Sequence, residues 1–152
     1  MKFSNTKLQL RVSNHFLFLI PILLWNILLF SKLPMDHFNG TAPQWVLIIE
    51  NIFRGGAMLL LLLLPVNTKN KLFRSGLMVF IVGILIYFAS WLWLIWFPES
   101  AAAQSAWLRF APAYTPIIWF IGLSMMSNSI LLLILSVVFV GFHVLEYVFR
   151  YV

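Results

Sequence analysis

Four long apolar runs, separated by short polar stretches, dominate the chain at about residues 13–30, 44–64, 72–97 and 117–147. A helix needs roughly 20 mostly apolar residues to cross the ~30 Å hydrocarbon core of a bilayer. The pattern therefore predicts an all-α integral membrane protein, a four-transmembrane-helix up-down bundle forming a single membrane domain over residues 1–152. Pro21 lies inside the first run, so a kink is expected there. The stretch 31–43, with Pro34, Asp36, His37, Gly40 and Pro43, reads as a loop, and Pro65 ends the second run.

Pro98-Glu99 has the form of a helix start, with proline at the first turn and a carboxylate at the positive end of the dipole. Residues 99–110, ESAAAQSAWLRF, are expected to form a short interfacial helix between helices 3 and 4, anchored by Trp107 and Phe110. Pro112 and Pro116 break the chain before the fourth run. As one helix that run would be ~45 Å long, so a strong tilt or a protruding end is expected. A split at Ser127-Asn128-Ser129 is set aside, on the expectation that three residues cannot reverse a membrane helix.

Composition agrees with lipid as the main solvent. Apolar residues make up 62% of the chain and charged residues 9%, against about 25% charged in soluble domains. The formal net charge of +6 would suggest nucleic acid in a soluble protein. Here the basic residues mostly flank apolar runs, so no nucleic-acid partner is expected and orientation explains them. Lys2, Lys7, Arg11, Lys69, Lys71, Arg74 and Arg150 fall on one side of the predicted bundle, Lys32 and Arg109 on the other. Both termini are thus expected in the cytoplasm, in a plasma or inner membrane, with Trp45, Trp96 and Trp107 as an outer aromatic belt. The basic N-terminus before Phe16–Phe30 has the layout of a signal peptide. That run is built of large residues and no small-residue site follows closely, so an uncleaved anchor is expected. The Asn39-Gly40-Thr41 sequon matters only in a eukaryotic source. Without cysteine, the chain has no disulfide, thiolate metal site or Cys nucleophile.

Small residues that let backbones approach drive helix association in lipid. Gly76, Gly83 and Ser90 on the third run, and Gly122, Ser129 and Ser136 on the fourth, each repeat every seven residues. The two stripes predict one antiparallel seam, with Tyr87 and His143 facing the bundle interior.

Chemistry centres on Glu50 and Arg54, one turn apart in WVLIIENIFRGGAMLLLLLLP. A charge near mid-bilayer costs ~2.5–3.5 kcal/mol even on gentle scales, so both should face protein or water. Either they neutralise each other, or they bind an anionic or hydrogen-bonding group. Asn26, Asn51, Tyr87, Ser90 and Asn128 fall at similar depth and complete a candidate ligand cavity. Gly55-Gly56 invites close approach of a helix or ligand. His143, Glu146 and His15 form a weak metal trio, outweighed by the Glu146–Arg150 spacing, which suits an ion pair. No metal or cofactor is therefore expected. Asp36-His37 is an acid–base candidate in a loop, and hydrolase, zincin, phosphate-loop and dinucleotide motifs are missing.

Three functions compete on this evidence. The first is binding or transport of a small molecule or lipid through a polar cavity in the outer half, in a homodimer. The second is a non-catalytic subunit of a larger membrane complex, favoured by a helix too long for the bilayer. The third is an intramembrane enzyme acting on a lipid-like substrate. Membrane lipids are expected partners in each.

Overall fold

The structure, a computed structural model, describes residues 14–34 and 36–151. Every named element among them is helical. The first run comprises a 3-10 segment His15–Leu19, helix α1 (Ile20–Leu29) and a 3-10 turn Phe30–Lys32. Pro21 stands in the first turn of α1, where its missing N–H is not needed, and marks the passage from 3-10 to α geometry. Helix α2 is Gln44–Leu63 and α3 is Phe73–Trp96. These three and the last helix, α8 (Ile130–Arg150), are, among the described residues, the four segments long and apolar enough to cross a membrane.

The expected interfacial helix 99–110 is two short helices, α4 (Ala101–Gln104) and α5 (Ala106–Arg109). Ser100 and Ser105 each accept a hydrogen bond from the backbone N–H three residues on, so each starts its own helix. Arg109 turns inward, donating from Nε to the Ala103 carbonyl at 3.0 Å, while Trp107 stays exposed.

The fourth run departs most from expectation. The predicted single span 117–147 is broken at Asn128, giving α6 (Ala111–Tyr114) and α7 (Pro116–Ser127) before the break and α8 after it. Asn128 adopts a left-handed conformation, φ 51° and ψ 41°. Its N–H donates to Met125 O at 3.2 Å, and the Ser129 N–H reaches back to Ser124 O at 3.0 Å. This is the Schellman termination, in which a left-handed residue satisfies orphaned carbonyls. Ser129 is already extended and caps α8 by accepting from the Leu132 N–H. Two residues therefore suffice for the reversal.

Side-chain neighbours fix the helix directions. Gly76 meets Met126 and Gly83 meets Trp119, so α7 runs antiparallel to α3. Trp45 packs on Phe142, Glu50 on His143 and Gly56 beside Leu135, so α8 runs antiparallel to α2. Phe18 packs on Phe80 and Trp25 stacks on Phe88, so α1 is parallel to α3. Together α6 and α7 return the chain through the bundle as a fifth arm, ~25 Å long at 1.5 Å per residue. The bundle is thus not the predicted up-down-up-down set of four.

One end of the bundle carries Asn14, residues 64–72 and the Asn128 turn; we call it the hairpin end. The other, the loop end, carries residues 33–43, α4, α5 and Tyr151. Gly40 N–H donates to Arg150 O there at 3.0 Å, and Phe38 packs against Phe110, Tyr147 and Tyr151. Asn14 and Tyr151 therefore sit at opposite ends of the bundle; residues 1–13, on which the expected side of the N-terminus rests, lie outside the described residues. Arg150 joins Lys32 and Arg109.

The predicted seam survives only in its first half. Gly76, Gly83 and Gly122 line the α3–α7 contact, where a Cβ on Gly122 would come 2.5 Å from Phe80 N. Ser90 lies buried along the same helix, donating to Tyr87 O at 2.7 Å. Ser129 and Ser136 belong to α8, beyond the reversal: one is a cap, the other a buried hydroxyl on a separate helix. Helix ends that would stand in lipid need partners for their carbonyls. At the hairpin end Asn70 Nδ2 donates to Met125 O and Met126 O, each at 2.9 Å, and His15 N–H to Leu64 O at 3.1 Å.

Asn128→Val should destabilise the protein by about 1–2 kcal/mol, the penalty of a left-handed β-branched residue, and Asn128→Gly by little or nothing. Reversible unfolding in mixed micelles would show the difference, and equal stability of the two variants would contradict the turn.

Candidate functional site

The reversal at Asn128 brings α8 back beside α2. Glu50, six residues into α2, lies ~9 Å along it, and His143, seven before the end of α8, ~10 Å from the same end. They meet: His143 Nδ1 is 3.1 Å from Glu50 Oε1. Glu50 is buried, with its side chain 3% exposed. The expected partner, Arg54, is farther, at 3.4 Å, and its side chain is 45% exposed. Arg54 also donates to Asn51 Oδ1. Glu146 completes the cluster, with Oε2 3.6 Å from His143 Nδ1 and Oε1 2.8 Å from Arg150 Nη2. The predicted trio of His143, Glu146 and His15 is thus corrected. His15 lies at the hairpin end, fully buried, with its ring Nδ1 3.0 Å from Leu64 O, and Glu50 takes its place beside His143 and Glu146.

Next to this cluster is a cavity of about 430 Å³, within the usual range for a small-molecule site. Apolar side chains come from α1 (Ile22, Leu23), α2 (Met58), α7 (Pro116) and α8 (Phe139). Polar groups on the same wall are Asn26, Arg54, Tyr87, Trp91, Trp119, His143 and Tyr147. Tyr87 donates to Asn26 Oδ1 at 2.6 Å. The indole N–H groups of Trp91 and Trp119 are buried and have no partner among the described residues. Unpaired buried donors are rare in folded proteins. The wall thus combines apolar and aromatic surface with the polar side chains of Asn26, Arg54, Tyr87 and His143.

Of the predicted ligand residues, Arg54, Asn26 and Tyr87 line the cavity, and Glu50 stands behind His143. Ser90 supports the Tyr87 backbone from outside it. Asn51 is exposed on the far face of α2, bonded to Leu47 O and Arg54. Asn128 lies at the hairpin end, beside a shallow apolar groove with Leu72, Ile121 and Leu133. Among the described residues nothing lies within 4 Å of the Gly55 Cβ position, so none of the described helices packs closely there. Asp36 is exposed, and His37 packs on Tyr151 away from the cavity. Trp91, with Trp93 and Trp96, is a sequence-level candidate for an aromatic-lined pocket, whereas Trp119 and Tyr147 are wall residues that sequence reading passed over. Their signal was faint, since aromatic residues in such helices usually face lipid.

Comparison with protein-family models, curated proteins and solved structures finds no match for this chain.

Proposed function

We propose that the chain is an integral membrane protein that binds a small amphiphile whose polar end carries hydrogen-bond acceptors. The observation that carries this reading is the 430 Å³ cavity, whose largely apolar wall also carries the polar residues Asn26, Arg54, Tyr87 and His143. Apolar walls suit a lipid-like body, and a few polar groups among them suit a hydrogen-bonding head. Its setting in lipid is supported by large exposed side chains along the helices, Ile27, Ile52, Met78, Leu85 and Ile134 among them. Trp45, Trp96 and Trp107, exposed at the loop end, suit a headgroup interface.

With Arg150 reassigned, the hairpin end is preceded or lined by Lys2, Lys7, Arg11, Lys69, Lys71 and Arg74, against Lys32, Arg109 and Arg150 at the loop end. Six against three keeps the hairpin end cytoplasmic. The subunit reading loses one of its two motives, because the over-long fourth helix is two helices of ordinary length, and keeps the other, the absence of a catalytic motif.

Native mass spectrometry of protein extracted gently from its membrane tests the proposal. The wild-type chain should retain a small molecule, and Leu23→Trp, which fills the cavity, should lose it while remaining folded. Arg54→Met should retain less. A ligand-free wild type, or equal retention by Leu23→Trp, would overturn the binding role.

A further inference from the structure

We propose that Glu50, His143 and Glu146 hold one divalent transition-metal ion, of the zinc, iron(II) or manganese(II) kind. The inference does not depend on amphiphile binding, although His143 also lies on the wall of the neighbouring cavity. Half of the chain's four carboxylates converge here. Glu50 Oε1 and Glu146 Oε2 lie 3.1 and 3.6 Å from the same ring nitrogen, His143 Nδ1. All three donor atoms lie within 4.8 Å of one another. Around a tetrahedral zinc with bonds of ~2.0–2.1 Å, adjacent ligand atoms are about 3.3–3.4 Å apart. The two separations bracket that edge.

Each carboxylate has a guanidinium neighbour, Glu50 in Arg54 and Glu146 in Arg150, and both also face the one His143 ring nitrogen. A ring nitrogen carries at most one proton, which can be donated well to only one of the two carboxylates. A cation at the centre satisfies all three donor atoms at once. The surroundings fit. Arg150 Nη2 holds the outer oxygen of Glu146 at 2.8 Å and leaves Oε2 turned to His143, the kind of outer contact that orients a metal-ligating carboxylate. Arg54 already donates to Asn51 and is half exposed, so it can release Glu50 without being stranded. One imidazole and two carboxylates form a borderline donor set, suited to zinc, iron(II) or manganese(II). Copper(I) prefers sulfur, and magnesium prefers an all-oxygen shell. Three protein ligands leave further coordination positions open.

The test uses full-length protein purified without a histidine tag, stripped with chelator and titrated with zinc and with cobalt(II). One ion per chain is expected, with cobalt giving the visible absorption of a low-coordinate site. Glu146→Gln and His143→Gln should each weaken binding at least about tenfold, since both remove a direct ligand. His15→Gln, at the far end of the bundle, should leave it unchanged. Binding should weaken as pH falls, because the ligands must lose protons. X-ray absorption at the zinc edge of the wild type gives a readout that needs no variant, and its shell should contain one imidazole. No stoichiometric ion, a zinc shell without imidazole, or undiminished binding by the folded Glu146→Gln and His143→Gln proteins would each overturn the site.

Discussion

His143→Ala, measured in metal-free protein, is expected to destabilise the bundle by about 3–5 kcal/mol, the range for removing one partner of a buried ion pair. The loss would be read as a shift of the unfolding midpoint in mixed micelles. Among the described residues Glu50 is the most buried carboxylate, at 2% exposed, and His143 is its nearest partner. Without the ring, Glu50 would face Glu146 with only Arg54 to compensate. Arg54 is 3.4 Å away, beyond good hydrogen-bond length. Neutralising the carboxylate should recover most of the loss, so Glu50→Gln/His143→Ala should be clearly more stable than His143→Ala alone. Arg54→Ala should cost no more than about 1 kcal/mol, as for an exposed pair. The sequence pointed instead to Arg54 as the partner whose removal would strand Glu50. Equal damage from Arg54→Ala and His143→Ala would restore that reading.

Gly122→Leu should prevent stable folding, and even Gly122→Ala should cost about 1–3 kcal/mol through overpacking. A Cβ there would lie 2.5 Å from Phe80 N and 2.7 Å from Gly76 O, both backbone atoms that cannot step aside. At Gly55 and Gly141 a Cβ meets nothing within 4 Å. Alanine at either should be neutral or gain up to about 1 kcal/mol from helix propensity. All three glycines lie inside helices and differ in whether another backbone faces them, so stabilities of the alanine variants measured side by side report the close approach of α3 and α7. A Gly122→Ala protein as stable as Gly55→Ala would mean that these helices do not meet there.

Much of the helical layout could be read in advance because lipid imposes one strong rule: twenty apolar residues without a break make a helix. The bounds of α2 and α3, and the small-residue approach at Gly76, Gly83 and Gly122, followed from that rule and from the spacing. The reversal at Asn128 did not, because length was weighed more heavily than local chemistry. Ser127-Asn128-Ser129 carried the information, since asparagine tolerates the left-handed conformation and serine is a strong helix cap. That one error spread to the site. With α8 drawn in the wrong direction, His143 was placed beside His15 at the wrong end, and the Glu50–His143 pair could not be foreseen. Asn128 entered the cavity on depth alone and left it for the same reason. Glu50, Arg54, Asn26 and Tyr87 were legible because polar groups in an apolar run must face one another. Which way each faced was set by tertiary packing.

The pairing of α8 with α2 is what the cavity and the carboxylate cluster both depend on. Because the chain contains no cysteine, disulfide trapping tests it directly. Trp45→Cys/Phe142→Cys, placed where the two rings meet at 6.2 Å, should cross-link within one chain under mild oxidation. Leu64→Cys/Phe142→Cys should not, because those positions lie at opposite ends of the bundle. Cross-linking of the second pair and not the first would mean that the chain runs straight through Asn128, and would contradict the site as described.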